Sequence, residues 1–334
     1  MTKGHEILSE DGHVVLALCS GLGLKDPSGA PDDLAPLKLS EWNEVEKQLQ
    51  SAGLTPSKAF AGRSATEIAS SLKVAVGEAE RLARLADRGG RLALELERLF
   101  SAGLWAVTRV DETYPARLAK ALKQHAPSVL FGAGDIQLLA RAGVAVVGSR
   151  NIDETGVRFA KEIGGKAARS RLSVVSGGAK GTDRLAMEGA LEADGVAVGA
   201  MADSLERTVR QPDVRQFIIE DRLALVTPYS PSAGFSVGAA MGRNKLIYGL
   251  ADYAIVVSSE FQSGGTWAGA TEALKAGWCP VFVRTADSAP QGNRELVKLG
   301  AVSLPETELS EITDLRAWLQ EHTTCSPQQA DLFS

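Results

Sequence analysis

The stretch VVSGGAKGTDRLAMEGAL, residues 174–191, decides the fold. A β-branched apolar run passes through a glycine-rich turn into a segment with helical spacing, the order strand–loop–helix. Runs of the same kind recur around it: GVAVVGSR (143–150), LSVVSGG (172–178), GVAVGAMA (195–202), LALVTPYS (223–230), YAIVVSS (253–259) and CPVFVRTA (279–286). None alternates polar with apolar, and helical patterns separate them, which predicts parallel strands covered on both faces. Between the first two, Val157, Ala160, Ile163 and Ala167 give a covering stripe. Six such strands predict an α/β fold: a Rossmann-like, doubly wound and mainly parallel sheet.

Upstream the character differs. Residues 1–103 read as a small all-α domain, with a turn-rich break at KDPSGAPDD (25–33). A helix with a Ser cap is expected over LSEWNEVEKQLQ (39–50), and a hinge at Gly89–Gly90. The sheet domain is expected over residues 104–305 and a C-terminal helix within 306–322, centred on 311–321. Residues 323–334 are polar and expected to be a disordered tail.

The 334 residues are 44% hydrophobic and 23% charged, ordinary for a globular chain. A net charge of −5 excludes a general basic coat, so any nucleic-acid contact needs a local patch. Cys19, Cys279 and Cys325 are far apart and show no metal or disulfide spacing, nor do the 4 histidines cluster; no metal and no cofactor are expected. The early apolar run HVVLALCSGLGL (13–24) is too short to span a bilayer, and Leu18 before Cys19 argues against a lipoprotein signal. A cytoplasmic protein without a membrane anchor is expected.

In a doubly wound sheet, ligands bind beyond the carboxyl ends of the strands. This chain places Gly148-Ser149-Arg150 there, then Ser176-Gly177-Gly178-Ala179-Lys180-Gly181-Thr182-Asp183, and later Ser263-Gly264-Gly265-Thr266. Gly242-Arg243-Asn244-Lys245 precedes a helix between the fourth and fifth strands. Glycines admit close approach, helix-start amides attract anions, and Arg150, Lys180, Arg243 and Lys245 add charge, so the pattern predicts a phosphate site. Any one such turn also serves merely to reverse a chain; the repetition singles out the site. GGAKGTD fits neither the dinucleotide fingerprint nor the P-loop. Asp183 is expected to cap the helix start or brace Lys180. Tyr229, Phe235, Tyr248 and Trp267 are the aromatics available to stack on bases.

VAVVGSR, VVSGGAKGTD, RNKLIYGLAD and GNRELVKLGA, in that order and preceded by VTRVDETYPARL and APSVLFGAGD, resemble the DNA-processing protein A (DprA/Smf) family over residues 104–301. The resemblance implies a protein of DNA processing, recombination and natural transformation. Such a protein binds single-stranded DNA, loads a RecA-type recombinase and forms a homodimer. It makes Arg150 and Lys180 the principal backbone contacts, extended by Arg243, Asn244 and Lys245. The loops of Gly148, Ser149, Gly177, Gly178 and Gly181 would offer amide groups. The chain departs from the pattern at 226–242, at Thr155-Gly156 and in SGGTWAGATEAL, and with about thirty residues after the sheet no winged helix is expected.

The LOG-type nucleotide phosphoribohydrolases share the superfamily, and their P-G-G-x-G-T-x-x-E motif resembles SGGTWAGATE, with Glu272 as the acid. Glu272 comes two residues late, which turns a helical side chain by about 200°. The other carboxylate near a strand end, Glu260, reads as a loop charge. No catalytic residue is therefore expected, and the alternatives are a nucleotide N-glycosidase or a sensor of a nucleotide signal. Finally, Gln329, Asp331, Leu332 and Phe333 resemble the peptide by which bacterial proteins dock on the sliding clamp, with Ala330 in place of Leu.

Overall fold

The computed structural model describes residues 7–24 and 34–324, which divide into two compact units. The clamp-like Gln329, Asp331, Leu332 and Phe333 lie outside the described residues.

The first unit takes in the described residues up to Tyr114 together with Lys123–Ala133 and Thr227–Ala233, so it continues past residue 103. Its helices are α1 (Glu10–Cys19), α2 (Leu39–Ala52), α3 (Pro56–Phe60), α4 (Ala65–Leu72), α5 (Val76–Ala86) and α6 (Gly89–Ser101). Strands β1 (Leu104–Thr108) and β2 (Val129–Ala133) pair antiparallel, Leu104 opposite Ala133. The helix starts follow local chemistry. The Ser9 hydroxyl accepts the Gly12 N–H at 3.0 Å, and Ser64 and Glu67 cap α4 reciprocally. The expected Ser cap of α2 is not one: Ser40 lies inside the helix, Lys38 is the capping residue, and Glu41 takes the Lys38 N–H at 2.6 Å. Gly89 and Gly90 form the first turn of α6 rather than a hinge, since the break falls at Asp87–Arg88. There the buried Arg88 guanidinium donates to the carbonyls of Leu85, Leu22, Ala17 and Ser20, which holds the junction in one geometry. The helices close on Val15, Leu18, Trp42, Leu49, Phe60, Ile68 and Leu82. Each such side chain contributes about 1.5–3 kcal/mol on leaving water.

The second unit carries α7 (Ala116–Leu122), β3 (Gly143–Gly148), α8 (Glu154–Arg169), β4 (Ser173–Ser176), α9 (Thr182–Glu192), β5 (Ala197–Ala200), α10 (Leu205–Thr208), α11 (Pro212–Ile219) and β6 (Leu223–Thr227). It continues through α12 (Val237–Gly249), β7 (Tyr253–Ser258), α13 (Gly264–Ala276), β8 (Val281–Thr285), α14 (Gln291–Lys298), β9 (Val302–Pro305) and α15 (Leu315–Thr324). The six expected strands are β3 to β8, side by side in the order β6-β5-β4-β3-β7-β8 and all parallel, with β9 added beyond β8. The fold is therefore the doubly wound α/β sheet. Of the stripe expected on α8, Ala160, Ile163 and Ala167 are fully buried; Val157 is 37% exposed, and Phe159 takes the buried place instead.

Behind the carboxyl edge, Arg284 at the end of β8 is fully buried. Its guanidinium meets Asp153 at 3.4 Å and Glu306 at 2.9 Å, donates to the hydroxyls of Thr155 and Ser288, and lies 5.8 Å from the Phe159 ring. Asp153 also caps α8 through the Gly156 N–H at 2.8 Å. One cation thus anchors the start of the helix that follows Arg150. Asp153 and Glu306 are 40% and 28% exposed, so water takes over part of what the guanidinium supplies. We expect Arg284→Met to lower stability by about 1 kcal/mol, read from urea unfolding.

Candidate nucleic-acid interface

From β3 the chain winds through β4, β5 and β6 on one side, then returns to place β7 on the other side of β3. The carboxyl ends of β3 and β7 are therefore the point where the winding reverses, the place a doubly wound sheet leaves open for a ligand. A cleft of about 460 Å³ opens there. It is lined by Gly148, Ser149 and Arg150 after β3, by Ser258 and Glu260 after β7, by Arg243 and Asn244 of α12, and by Ser263, Gly264, Gly265 and Thr266 at the start of α13.

The loops after β3 and β4 interlock. The N–H and hydroxyl of Thr182 both donate to the Ser149 carbonyl, at 3.3 and 3.1 Å. Gly181 sits at φ +88°, and a Cβ on it would lie 2.5 Å from the Arg150 carbonyl oxygen, so the crossing admits only glycine. The Ser176 hydroxyl donates to the Val146 carbonyl at 2.6 Å and is buried. Ser176 and Thr182 therefore fasten the loops rather than face the cleft.

Of the amides expected to hold a phosphate, those of Gly148, Ser149 and Gly177 are already engaged. The Gly177 N–H donates to the Asp183 carboxylate at 3.1 Å, and the amides of Gly148 and Ala179 bond the same group. Ser149 donates its N–H to the Ser258 carbonyl at 2.9 Å. Asp183 thus fills the amide nest itself, and what it braces is Arg243 rather than Lys180. The Arg243 guanidinium packs against Gly177, where a Cβ would collide with it. Burial pushes the Asp183 carboxyl from 3.8 up to about 6, against the opposing pull of Arg243 and the three amides.

The anion-attracting groups that remain lie at the mouth and on α13. Arg150 is exposed, 5.8 Å from the ring of Phe235, which is itself 51% exposed. Lys180 and Gly178 are exposed on the loop next to the lining residue Ala179. Residues 242–245 lie within α12 rather than before it. Positions 243 and 245 are about 200° apart on a helix, so both cannot face the cleft. Lys245 turns away, 2.9 Å from Glu272 and 5.9 Å from the Trp278 ring, and this pair also keeps Glu272 out of the cleft. Asn244 donates to the Gly265 carbonyl at 3.1 Å and ties α12 to α13.

Of the expected stacking residues, Phe235 is placed at the mouth, Trp267 packs edge-on against Phe261 at 5.2 Å, Tyr248 is buried, and Tyr229 belongs to the first unit. Sequence reasoning missed Phe261, the exposed Val237 and Met241, and Asn293. Asn293 is fully buried and clamps the ends of β7 and β8: it accepts from the Ser259 N–H at 2.8 Å and donates to the carbonyls of Val257 and Arg284. An Asn at the start of a helix just beyond a buried strand was the available signal.

A family model described as DNA recombination-mediator protein A matches residues 105–315. The chain belongs to that family. The DNA processing protein DprA of Streptococcus pneumoniae is 31% identical over 157 residues, which are 46% of this chain and 54% of that one. Protein Smf of Escherichia coli is 28% identical over 232 residues, 66% of this chain and 61% of that one. A putative DprA of Mycobacterium tuberculosis is 28% identical over 215 residues, 60% and 53%. The chain spans 53% to 61% of the length of these curated relatives. The X-ray structure of S. pneumoniae DprA matches with a TM-score of 0.66 over 91% of this chain and 98% of that one, at 19% identity. Helicobacter pylori DprA, from a study of its single-stranded DNA binding mode, matches with a TM-score of 0.53 over 65% and 96%, at 22% identity. These structural likenesses concern the fold. No helix among the described residues is long and apolar enough to cross a membrane.

In this family member, the raised pKa of Asp183 means that folding favours its protonated form. Its contribution to stability is full below the unfolded value of 3.8 and is lost as pH rises through about 6. Thermal melts should show the wild type losing stability relative to Asp183→Asn between about pH 4 and pH 6, with a constant difference above.

Proposed function

We propose that this member of the recombination-mediator family binds single-stranded DNA, laying the phosphate backbone across the mouth of the cleft. The observation that carries the reading is the convergence, at the reversal point of the sheet, of Arg150, the Lys180 loop and the first turn of α13 beside an exposed ring. Arg supplies a fork for phosphate oxygens, Lys a point charge, and the helix start free amides. Phe235, with the Arg150 guanidinium over it, offers a stacking surface that only an unpaired base reaches. The protein acts as a binder rather than an enzyme: amides and Arg243 cover Asp183, and Lys245 holds Glu272 outside. A recombinase as the recipient of the DNA, a homodimer, a cytoplasmic setting and clamp docking by the tail complete the proposal, on family resemblance and on the QADLF stretch.

Fluorescence anisotropy with single- and double-stranded oligonucleotides over a salt series tests it. We expect Arg150→Ala and Lys180→Ala each to weaken single-strand binding by about 1 kcal/mol and to flatten the log–log salt slope by about one. Lys245→Ala should leave affinity unchanged. Wild-type affinity retained by both Arg150→Ala and Lys180→Ala would count against the site.

A further inference from the structure

The stripe of α12 that faces the cleft is Val237, Ala240, Met241, Asn244, Ile247 and Tyr248, a spacing that keeps to one side of a helix. Its inner half packs as such a stripe should: Ile247 and Tyr248 are buried. Its outer half does not. Val237 is 74% exposed and Met241 41%, although both line the cleft. Phe235 just before the helix is exposed as well, and so is Phe261, which lies between the lining residues Glu260 and Ser263 and meets the Trp267 ring edge-on. Four of the nine large apolar side chains exposed among the described residues thus belong to one mouth. Scattered singly, such groups are ordinary; gathered, they mark a binding surface.

The two sides of this mouth differ in chemistry. The loops after β3 and β4 carry Arg150 and Lys180, both exposed. On the α12 side the lining cation is Arg243, which is buried against Asp183. Glu260, beside Phe261, is exposed and repels phosphate oxygens from that side. The polar side chains at this end of α12 are engaged: the Ser236 hydroxyl accepts the Ala239 N–H at 3.0 Å, and Asn244 donates to the Gly265 carbonyl. What the helix offers a ligand there is apolar surface.

A ligand that fits both sides has a charged edge and flat apolar faces. An unpaired strand has its phosphates along one edge and free base faces beyond them, whereas a duplex keeps those faces stacked. We propose that Val237 and Met241 of α12, with Phe261 beside them, form a platform for the faces of unpaired bases, while the backbone runs along Arg150 and Lys180. The platform rests on the single-stranded DNA reading and adds where the bases lie and what holds them. Contact through faces rather than edges makes it tolerant of sequence, and Met241, unbranched and polarisable, adapts to bases of different size.

The test uses the full chain and a Val237→Ser, Met241→Ser double variant. Both positions are exposed, and matching thermal melts establish that the fold is kept. Oligo(dT) and a strand of the same length made of abasic deoxyribose phosphate are titrated by anisotropy at one salt concentration. The wild type should bind oligo(dT) more tightly than the abasic strand by about tenfold or more. The double variant should lose about tenfold for oligo(dT) and less than about twofold for the abasic strand. Met241→Gln, which keeps the length of the side chain, should shift oligo(dT) in the same direction by a smaller factor. An equal loss for both strands overturns the proposal, because the face then serves the backbone or the shape of the cleft. No loss for either strand overturns it too, and leaves the face to a protein partner. If neither strand binds the wild type, the DNA reading itself has failed and the platform falls with it.

Discussion

The Asp183 carboxyl, taken out of water and met by the chain's own amides and Arg243, is the constraint around which the cleft is built. An isolated buried carboxylate is too costly to persist. Here it gathers amides from the loops after β3 and β4 and faces Arg243 of α12. Each group repays part of the desolvation of the others, so the three segments hold position only together. That interdependence explains why Gly181 must allow the crossing and why Gly177 must lack a side chain where the guanidinium rests. The cleft is a by-product of satisfying one internal anion.

The consequence is a division of labour along the cleft. Behind it, buried polar groups are engaged: Asp183 by amides, Asn293 by the backbone of β7 and β8, Arg284 by Asp153 and Glu306. Its mouth is the reverse. Arg150, Lys180 and Phe235 are exposed on loops, where side chains keep their rotamer freedom until a ligand orders them. A fixed wall behind an adaptable rim leaves the exposed side chains free to adjust while the backbone beneath them holds its shape.

The strands β3 to β8 were legible because a strand buried on both faces reads as one apolar run, and a cleft opens at the carboxyl ends of β3 and β7. Strand β9 was not, because Val302, Ser303 and Pro305 are only half-buried and the apolar signal lapses. The start of α12 was read as loop for a related reason. Gly234, Gly238 and Gly242 punctuate it, while Val237 and Met241 are exposed, so no apolar stripe marks the helix before Leu246. This concealed the 200° rotation that separates Lys245 from Arg243. The destinations of the amides were beyond any sequence argument. Glycine spacing says that a backbone can come close to something, not whether that partner is a ligand oxygen or the carboxylate of Asp183.

How a chain of net charge −5 could hold a polyanion follows from distance. At physiological ionic strength the Debye length is about 8 Å, so the acidic groups spread over the rest of the surface are largely screened from a strand at the cleft. Within that range the field is set by Arg150, Lys180 and the positive end of α13, opposed at the mouth by the exposed Glu260, while Asp183 is covered by amides and Arg243. The acidic remainder still acts before contact. It provides no long-range steering toward nucleic acid and disfavours loose attachment elsewhere on the surface, so binding depends on fit within one cleft rather than on general attraction.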